Sequence, residues 1–265
     1  MNNITGIITT LNEENNIIEC IESLRLICNE IVVIDSESTD NTIELAKEMG
    51  AKVHIHPYLG DGIQKNIGIQ YASNKWIFNL DADERITNEL AEEINNINLA
   101  KTTFEAFAVK RKNFIGSRWI KCCGWYPDYL VRLYRHDKTR YEEVKQHASV
   151  PSNNKKMLGS DIEHFSFKNI GELFSKPNRN FSTRSAKILY LNKKKANAFT
   201  PFLHGFSSFV RCYFFKGGIL GGVDGFSISL SAACASYLKY AKLLEYWRDP
   251  KVLDSENFDT IWDNK

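Results

Sequence analysis

The first eighty residues alternate between short apolar runs and stretches with helical spacing of their apolar positions. Residues 4–8 form an apolar run, and 14–26 then carry Ile17, Ile18, Ile21 and Leu24 three or four positions apart. Ile31, Val32, Val33 and Ile34 are all β-branched, as in a strand buried on both faces. A second helix is expected to begin near 38–40, where Ser38 and Asp40 can cap it, and to stop at Gly50. Residues 51–55 predict a third strand, 62–72 a third helix and 75–80 a fourth strand. Thr87 then caps a helix with Leu90, Ile94 and Ile97 on one face. Strands separated by helices in this rhythm are βαβ units. The expected class is α/β, a mainly parallel sheet flanked by helices with ligands at the carboxyl ends of its strands.

Beyond about residue 100 the rhythm fades. Residues 104–110 and 129–134 alternate as strands do, and the stretch between them is rich in Trp, Tyr and Gly. From 168 to 195 the charge is basic, with Glu172 the lone acid; from Phe199 to Trp247 aromatic and small residues dominate. This shift in composition sets the expected boundary: a nucleotide-binding and catalytic domain over 1–165, and a helical, aromatic-rich region over 166–265.

A chain of 265 residues can bury one full-sized core and carry an appendage. The six cysteines include no Cys-x-x-Cys pair, which fits free thiols in a reducing cytoplasm better than a disulfide framework or a zinc site. Met1-Asn2-Asn3 leads straight into an apolar strand, so no signal peptide is expected. The longest uncharged apolar run, roughly 225–238, is shorter than a bilayer span, so a cytoplasmic protein, soluble or peripheral on the inner face of the membrane, is expected. The basic stretch and the aromatic segments after it suit contact with anionic lipid. With a formal charge of only +2 and no base-reading motif, nucleic acid is not an expected partner.

Every strand of the first half runs out into polar residues: Thr10-Leu11-Asn12-Glu13, then Asp35-Ser36-Glu37-Ser38, then Gly60-Asp61-Gly62 with Gln64-Lys65-Asn66, then Asp81-Ala82-Asp83. Helix capping accounts for each group taken singly, whereas their convergence on one sheet edge points to a ligand. A carboxylate or amide at the first two edges can meet a base and Lys65 a phosphate. Asp81 and Asp83, which point the same way in extended backbone, can face one hard divalent cation. Neither Gly-x-Gly-x-x-Gly after the first strand nor Gly-x-x-x-x-Gly-Lys-Ser/Thr occurs, which sets aside the common dinucleotide and P-loop sites. His54 and His56 share a strand face without a third ligand nearby and read as structural. Trp119, Trp125 and Tyr126 suit either core packing or a sugar face.

Thr-x-Asn-Glu, Val-Ile-Asp-Ser-x-Ser-Thr-Asp-x-Thr, Gln-Lys-Asn and Leu-Asp-Ala-Asp-Glu-Arg together resemble the family 2 glycosyltransferases of the GT-A fold. Gly124-Trp125-Tyr126-Pro127-Asp128-Tyr129, Arg132-Leu133 and Lys239-Tyr240-Ala241-Lys242-Leu243 resemble a bacterial lipopolysaccharide inner-core subgroup that adds β-linked glucose to heptose. The resemblance implies an inverting transfer of a hexose from a UDP-sugar to a lipopolysaccharide-core or other glycolipid acceptor. It places Thr10, Asn12, Glu13, Asp35 and Ser36 around uridine, Lys65 and Asn66 at the nucleotide, and Asp81 at ribose or metal. Asp83 would hold the Mg²⁺ or Mn²⁺ that bridges the diphosphate. Ser36 stands where many relatives have a second aspartate, and Ala148, after His147, where the subgroup has a glutamate. The base is therefore expected to be Asp128 or Glu143. A transferase for another glycan or lipid carrier, or a catalytically silent sugar-nucleotide-binding scaffold, stays open.

Overall fold

The computed structural model describes residues 2–144 and 148–255. The opening βαβ series is β1 (Ile4–Thr10), α1 (Ile17–Leu24), β2 (Glu30–Asp35), α2 (Thr42–Glu48), β3 (Lys52–Ile55), α3 (Asp61–Ile69) and β4 (Trp76–Asp81). These strands pair in parallel in the order β3-β2-β1-β4. There follow β5 (Glu84–Ile86), α4 (Asn88–Asn95), β6 (Ala106–Ile115), β7 (Arg118–Ile120), β8 (Tyr129–Arg135) and β9 (Lys155–Phe167). The sheet continues β4-β8-β6-β9-β5, and the β4–β8, β8–β6 and β9–β5 pairs are antiparallel. The α/β class is as expected, with a parallel half and an added antiparallel half that the rhythm of the first eighty residues does not announce.

The continuous apolar runs are explained by burial on both sheet faces. Ile31 and Val33, with Trp76, Phe78 and Leu80, join one core that includes α1 and α4 residues; Val32, Ile34 and Ile77 join the other, with Ile67, Tyr134 and Tyr141. Strand alternation thus feeds two layers at once. Thr87 caps α4 as expected, its hydroxyl accepting the Leu90 N–H at 3.2 Å. The second helix begins later than expected, at Thr42. Ser38 is recruited by Asp35, and Asp40 instead accepts the Thr42 N–H at 3.0 Å.

The chain divides into two compact units, one taking the chain up to Lys112 and then Pro127–His164, the other Asn113–Tyr126 and the chain from Phe165. In the second unit β7 pairs with the end of β6, and α5 (Ile170–Lys176), α6 (Ser182–Leu191), α7 (Thr200–Val210) and α8 (Gly222–Arg248) follow. Its core gathers Ile115, Ile120, Cys123, Leu173, Cys212 and Ile228. Gly225 allows the turn before α8 to close, since a Cβ there would lie 1.9 Å from the Gly218 carbonyl oxygen. The helical stretch Gly218–Arg248 exceeds the expected run: at 31 residues, with an 18-residue window of mean hydropathy 1.3, it is long and apolar enough to cross a bilayer by those two measures. A third of its most apolar window is buried inside the protein, and α6 and α7 pack along α8.

Candidate functional site

Parallel register sets Thr10 beside Asp35 and Thr9 beside Asp81, so the carboxyl ends of β1, β2 and β4 form one edge. The loops leaving β1 and β2 are laced together there. Asp35 is fully buried and accepts the Ser38 N–H at 2.7 Å and its hydroxyl at 2.6 Å. Burial raises the Asp35 carboxyl above its ordinary value in spite of those bonds. Asn12, held at a left-handed φ of 54°, donates its N–H to Ser38 Oγ, and its side-chain oxygen accepts the Thr39 N–H, both at 2.8 Å. The Glu13 N–H donates to Thr42 Oγ1 at 2.8 Å. Ser36 Oγ accepts from Gln64 Nε2 at 3.1 Å, while the buried Thr10 hydroxyl and Gln64 Oε1 have no partner among the described residues. Orphaned polar atoms at such an edge are what a polar ligand satisfies.

Lys65, buried on α3, sets its Nζ 2.8 Å from Asp61 Oδ1 and 3.1 Å from Asp81 Oδ1. Buried Arg132 on β8 donates from Nη2 to Asp81 Oδ2 at 3.0 Å and to Glu84 Oε1 at 2.6 Å. Glu84 is fully buried; its other oxygen accepts the Asp81 N–H at 3.1 Å, and Arg111 Nη1 stands 3.4 Å from Oε1. Arg111 in turn places Nε and Nη2 on Asp128 Oδ2, at 3.1 and 2.7 Å. Four carboxylates (Asp61, Asp81, Glu84, Asp128) thus alternate with three cations (Lys65, Arg132, Arg111). Burial works against charge on Lys65, Asp81 and Arg132, and mutual attraction overrides it. Asp81 is held well below the ordinary carboxylate range, and both cations are pushed up.

The acidic tip does not behave as one extended pair. The chain turns at Ala82-Asp83 to enter β5, so the i, i+2 rule stops applying. Both Asp81 oxygens meet cations, whereas Asp83 Oδ2 lies 3.5 Å from His164 Nε2, with each side chain 18% exposed. Among the described residues no group of three or more His, Cys, Asp or Glu gathers as a metal cluster.

The remaining expected residues fall in different places. Asn66 exchanges both ends of its amide with the Tyr141 backbone, at 2.9 and 3.1 Å, so it fixes a loop. Glu143 is exposed and 3.7 Å from Arg140, whereas Asp128 belongs to the ionic chain. Gln146 and His147 lie outside the described residues; the Ala148 N–H donates to Asp61 Oδ2 at 3.2 Å. His54 stacks on Tyr71 with ring centroids 3.5 Å apart, a packing role. In the second unit Trp119 and Tyr126 meet edge to face at 5.1 Å. The sequence marked Asp61 as part of the polar edge, and Glu84 and Arg132 as parts of matching motifs, without a role in the site, and did not mark His164 or Arg111. The available signals were charges inside alternating strands, at Arg111, Arg132 and His164, and the acid directly after the tip, at Glu84.

The model of glycosyl transferase family 2 matches residues 5–146, more than half of the chain and the whole edge from β1 through β8. A glycosyltransferase of Rickettsia typhi is 31% identical over 271 residues, covering 97% of this chain and 92% of the relative. The lipopolysaccharide core biosynthesis glycosyltransferase LpsC of Rhizobium meliloti is 30% identical over 260 residues, covering 91% and 92%. A solved fragment of S. aureus TarS, crystallised with UDP, superposes with TM-score 0.50 at 15% identity, covering 94% of this chain and 92% of the fragment. That likeness carries the GT-A architecture, and the family match together with the two relatives carries the rest: this chain belongs to glycosyl transferase family 2 and is a glycosyltransferase.

Proposed function

We propose that the protein is an inverting, metal-dependent hexosyltransferase that moves glucose from UDP to a heptose of the lipopolysaccharide core. The observation that carries this reading is the edge itself. Thr10 Oγ1, orphaned among the described residues, ends β1; Gln64 Oε1, orphaned likewise, and buried Lys65 come from α3, and Lys65 reaches Asp81 at the end of β4, beyond which Asp83 pairs with His164 of β9. In this reading Thr10, Asn12, Glu13, Asp35 and Ser36 surround uridine and Lys65 meets the diphosphate.

The donor set suits a divalent cation. An aspartate oxygen beside an imidazole nitrogen would give Mg²⁺ or Mn²⁺ two protein ligands, a set open enough for a cation that also binds a substrate diphosphate. Asp83 and His164 are the residues to hold it, with Asp81 acting through its cations because both its oxygens are engaged. Bound there, the ion supplies electrostatic stabilisation of the departing diphosphate. Asp128 fits the base better than Glu143. Arg111 binds only its Oδ2, which leaves Oδ1 without a protein partner among the described residues to accept the proton of the acceptor hydroxyl.

LpsC, named for core biosynthesis and matched along almost its whole length, supports the lipopolysaccharide acceptor. Peripheral contact with an anionic membrane belongs to the same reading, since such an acceptor is a lipid. The test is UDP release with UDP-glucose, UDP-galactose and UDP-N-acetylglucosamine against a truncated core acceptor. Turnover with UDP-glucose, lost in Asp83→Ala, is expected. Turnover confined to another donor removes the glucose assignment, and no melting-temperature rise with UDP plus Mn²⁺ removes the nucleotide site altogether.

A further inference from the structure

The second unit leaves an unusual amount of apolar surface uncovered in one part of the chain. Phe199, which caps α7, and Phe202, Leu203 and Phe206 on it follow the i, i+3, i+4, i+7 spacing of a single helical stripe, and all four are exposed. The helix packs on α8 through Gly205, where a Cβ would stand 3.3 Å from both the Ala233 carbonyl oxygen and Tyr237 Cβ. Phe202 meets Tyr237 at 5.2 Å near the start of α7, and Phe209 meets Phe226 at 5.7 Å near its end. The two helices therefore form an antiparallel hairpin. At its tip Phe215 is 81% exposed, Leu220 88% and Val223 81%. Between the helices runs an apolar groove of about 430 Å³, lined by Phe202, Gly205, Phe206, Ala233, Tyr237 and Leu238 among others.

Charge selects the occupant. From Asn192 to Val223 the chain holds no Asp or Glu, while Lys193, Lys194 and Lys195 precede the stripe and Arg211 and Lys216 flank the tip, all five exposed. The acid that follows, Asp224, is taken by Arg118 in a two-pronged pair, both contacts at 2.9 Å. A protein partner that buries an apolar face needs no such cationic rim. A sheet of acyl chains under anionic headgroups matches both the apolar stripe and the lysines around it. We propose that the α7–α8 hairpin is a bilayer-inserting surface. Its tip and the α7 stripe enter the headgroup–acyl boundary of an anionic leaflet, the lysines meet lipid phosphates, and the groove takes one acyl chain. The hairpin lies in the interface and does not span it, because Gly225, Ile228, Ser229, Ala235 and Leu243 bury the other side of α8 in protein. This deepens the proposed membrane contact by assigning it a surface.

The test is co-sedimentation of the full chain with phosphatidylglycerol-containing vesicles and with pure phosphatidylcholine vesicles. Leu220→Ser and Phe215→Ser, being solvent-facing, are expected to keep the melting temperature and the UDP-dependent thermal shift. Each is expected to lower partitioning onto anionic vesicles about tenfold, as loss of one inserted large apolar side chain does. Phe215→Trp is expected to show blue-shifted emission on adding those vesicles. Unchanged partitioning of the serine variants, or no emission shift, overturns the surface. Equal binding to neutral vesicles overturns the role of the lysines. A concentration-dependent dimer abolished by Leu220→Ser, without vesicle binding, assigns the face to self-association instead. Loss of the UDP-dependent shift in the unmodified protein strikes the nucleotide reading and leaves this surface standing.

Discussion

Replacing Arg132 by Met tests whether the ionic chain at the strand edge is a coupled unit. The substitution removes the cation that stands 2.6 Å from fully buried Glu84 and 3.0 Å from Asp81. Glu84 would keep one backbone N–H and an Arg111 contact stretched to 3.4 Å. Breaking a buried pair from one side costs about 3–5 kcal/mol, because an ion remains without compensation. At roughly 2–4 °C per kcal/mol for a chain of this size, the transition that reports the first unit falls by about 6–20 °C. Arg132→Lys keeps a charge, and since a single nitrogen serves both acceptors here, it is expected to recover part of the loss.

The double variant Arg132→Met/Glu84→Gln is expected to be less damaged than the two losses summed, by about 1–3 kcal/mol. The acid side of the stability profile carries a second signature. Asp81 titrates lower in the folded chain than in the unfolded one, so its contribution is whole above the ordinary carboxylate range. As pH falls, the unfolded chain takes the proton first, and the contribution drains away toward the folded value. Arg132→Met weakens that depression and flattens the acid limb. Calorimetry across pH, with urea titration at neutral pH for the cycle, measures both. A single-variant loss under about 1 kcal/mol with an additive double variant is the behaviour of an exposed pair and would refute the coupled network.

Asp83→Ala and His164→Ala are each expected to abolish the extra melting-temperature rise that Mn²⁺ adds to UDP, while binding of UDP alone persists; isothermal titration separates the two. Asp128→Asn is expected to lower kcat by a factor on the order of 10² or more with KM for the donor unchanged, and Glu143→Gln to stay within about twofold, in steady-state UDP release. Gly62→Ala brings a Cβ to 1.9 Å from the Glu142 carbonyl oxygen, so the backbone that rests on α3 must move. A cost of about 1–3 kcal/mol is expected by urea titration, with the second unit's transition untouched.

The parallel half was legible because its signals are local. Ile31-Val32-Val33-Ile34 has nowhere to be but between two layers, and Thr87 announces α4 by a bond three residues long. The antiparallel half was only partly legible. β9 runs for thirteen residues, yet only Leu158 and Ile162 along it are fully buried, so its alternation is diluted by Lys155, Lys156, Glu163 and His164. β5 is three residues long and is a strand only because β9 lies beside it. A composition window sees neither. The caps of α2 were misread for a similar reason: Ser38 is spent on Asp35, a demand that arises only once Asp35 is buried.

The same division runs through the site and explains what the short acidic motif means here. Asp81 and Asp83 were visible because they follow an apolar strand, but the partners that give them different tasks arrive from far along the chain. Arg132 lies fifty-one positions beyond Asp81, and His164 comes from a strand that the sequence barely marks. Extended geometry alone makes the two carboxylates equivalent, and the turn at Ala82 removes that equivalence. Asp81 then becomes the anion that lets Lys65 and Arg132 stay charged while buried; without it, burial would drive the lysine toward neutrality. Asp83 is instead set beside an imidazole, where the proposed divalent ion would find an oxygen and a nitrogen ligand together. Motif-level reading treats both as metal ligands. The physical distinction is that one carboxylate stabilises the charged lysine and arginine, and the other pairs with the His164 imidazole.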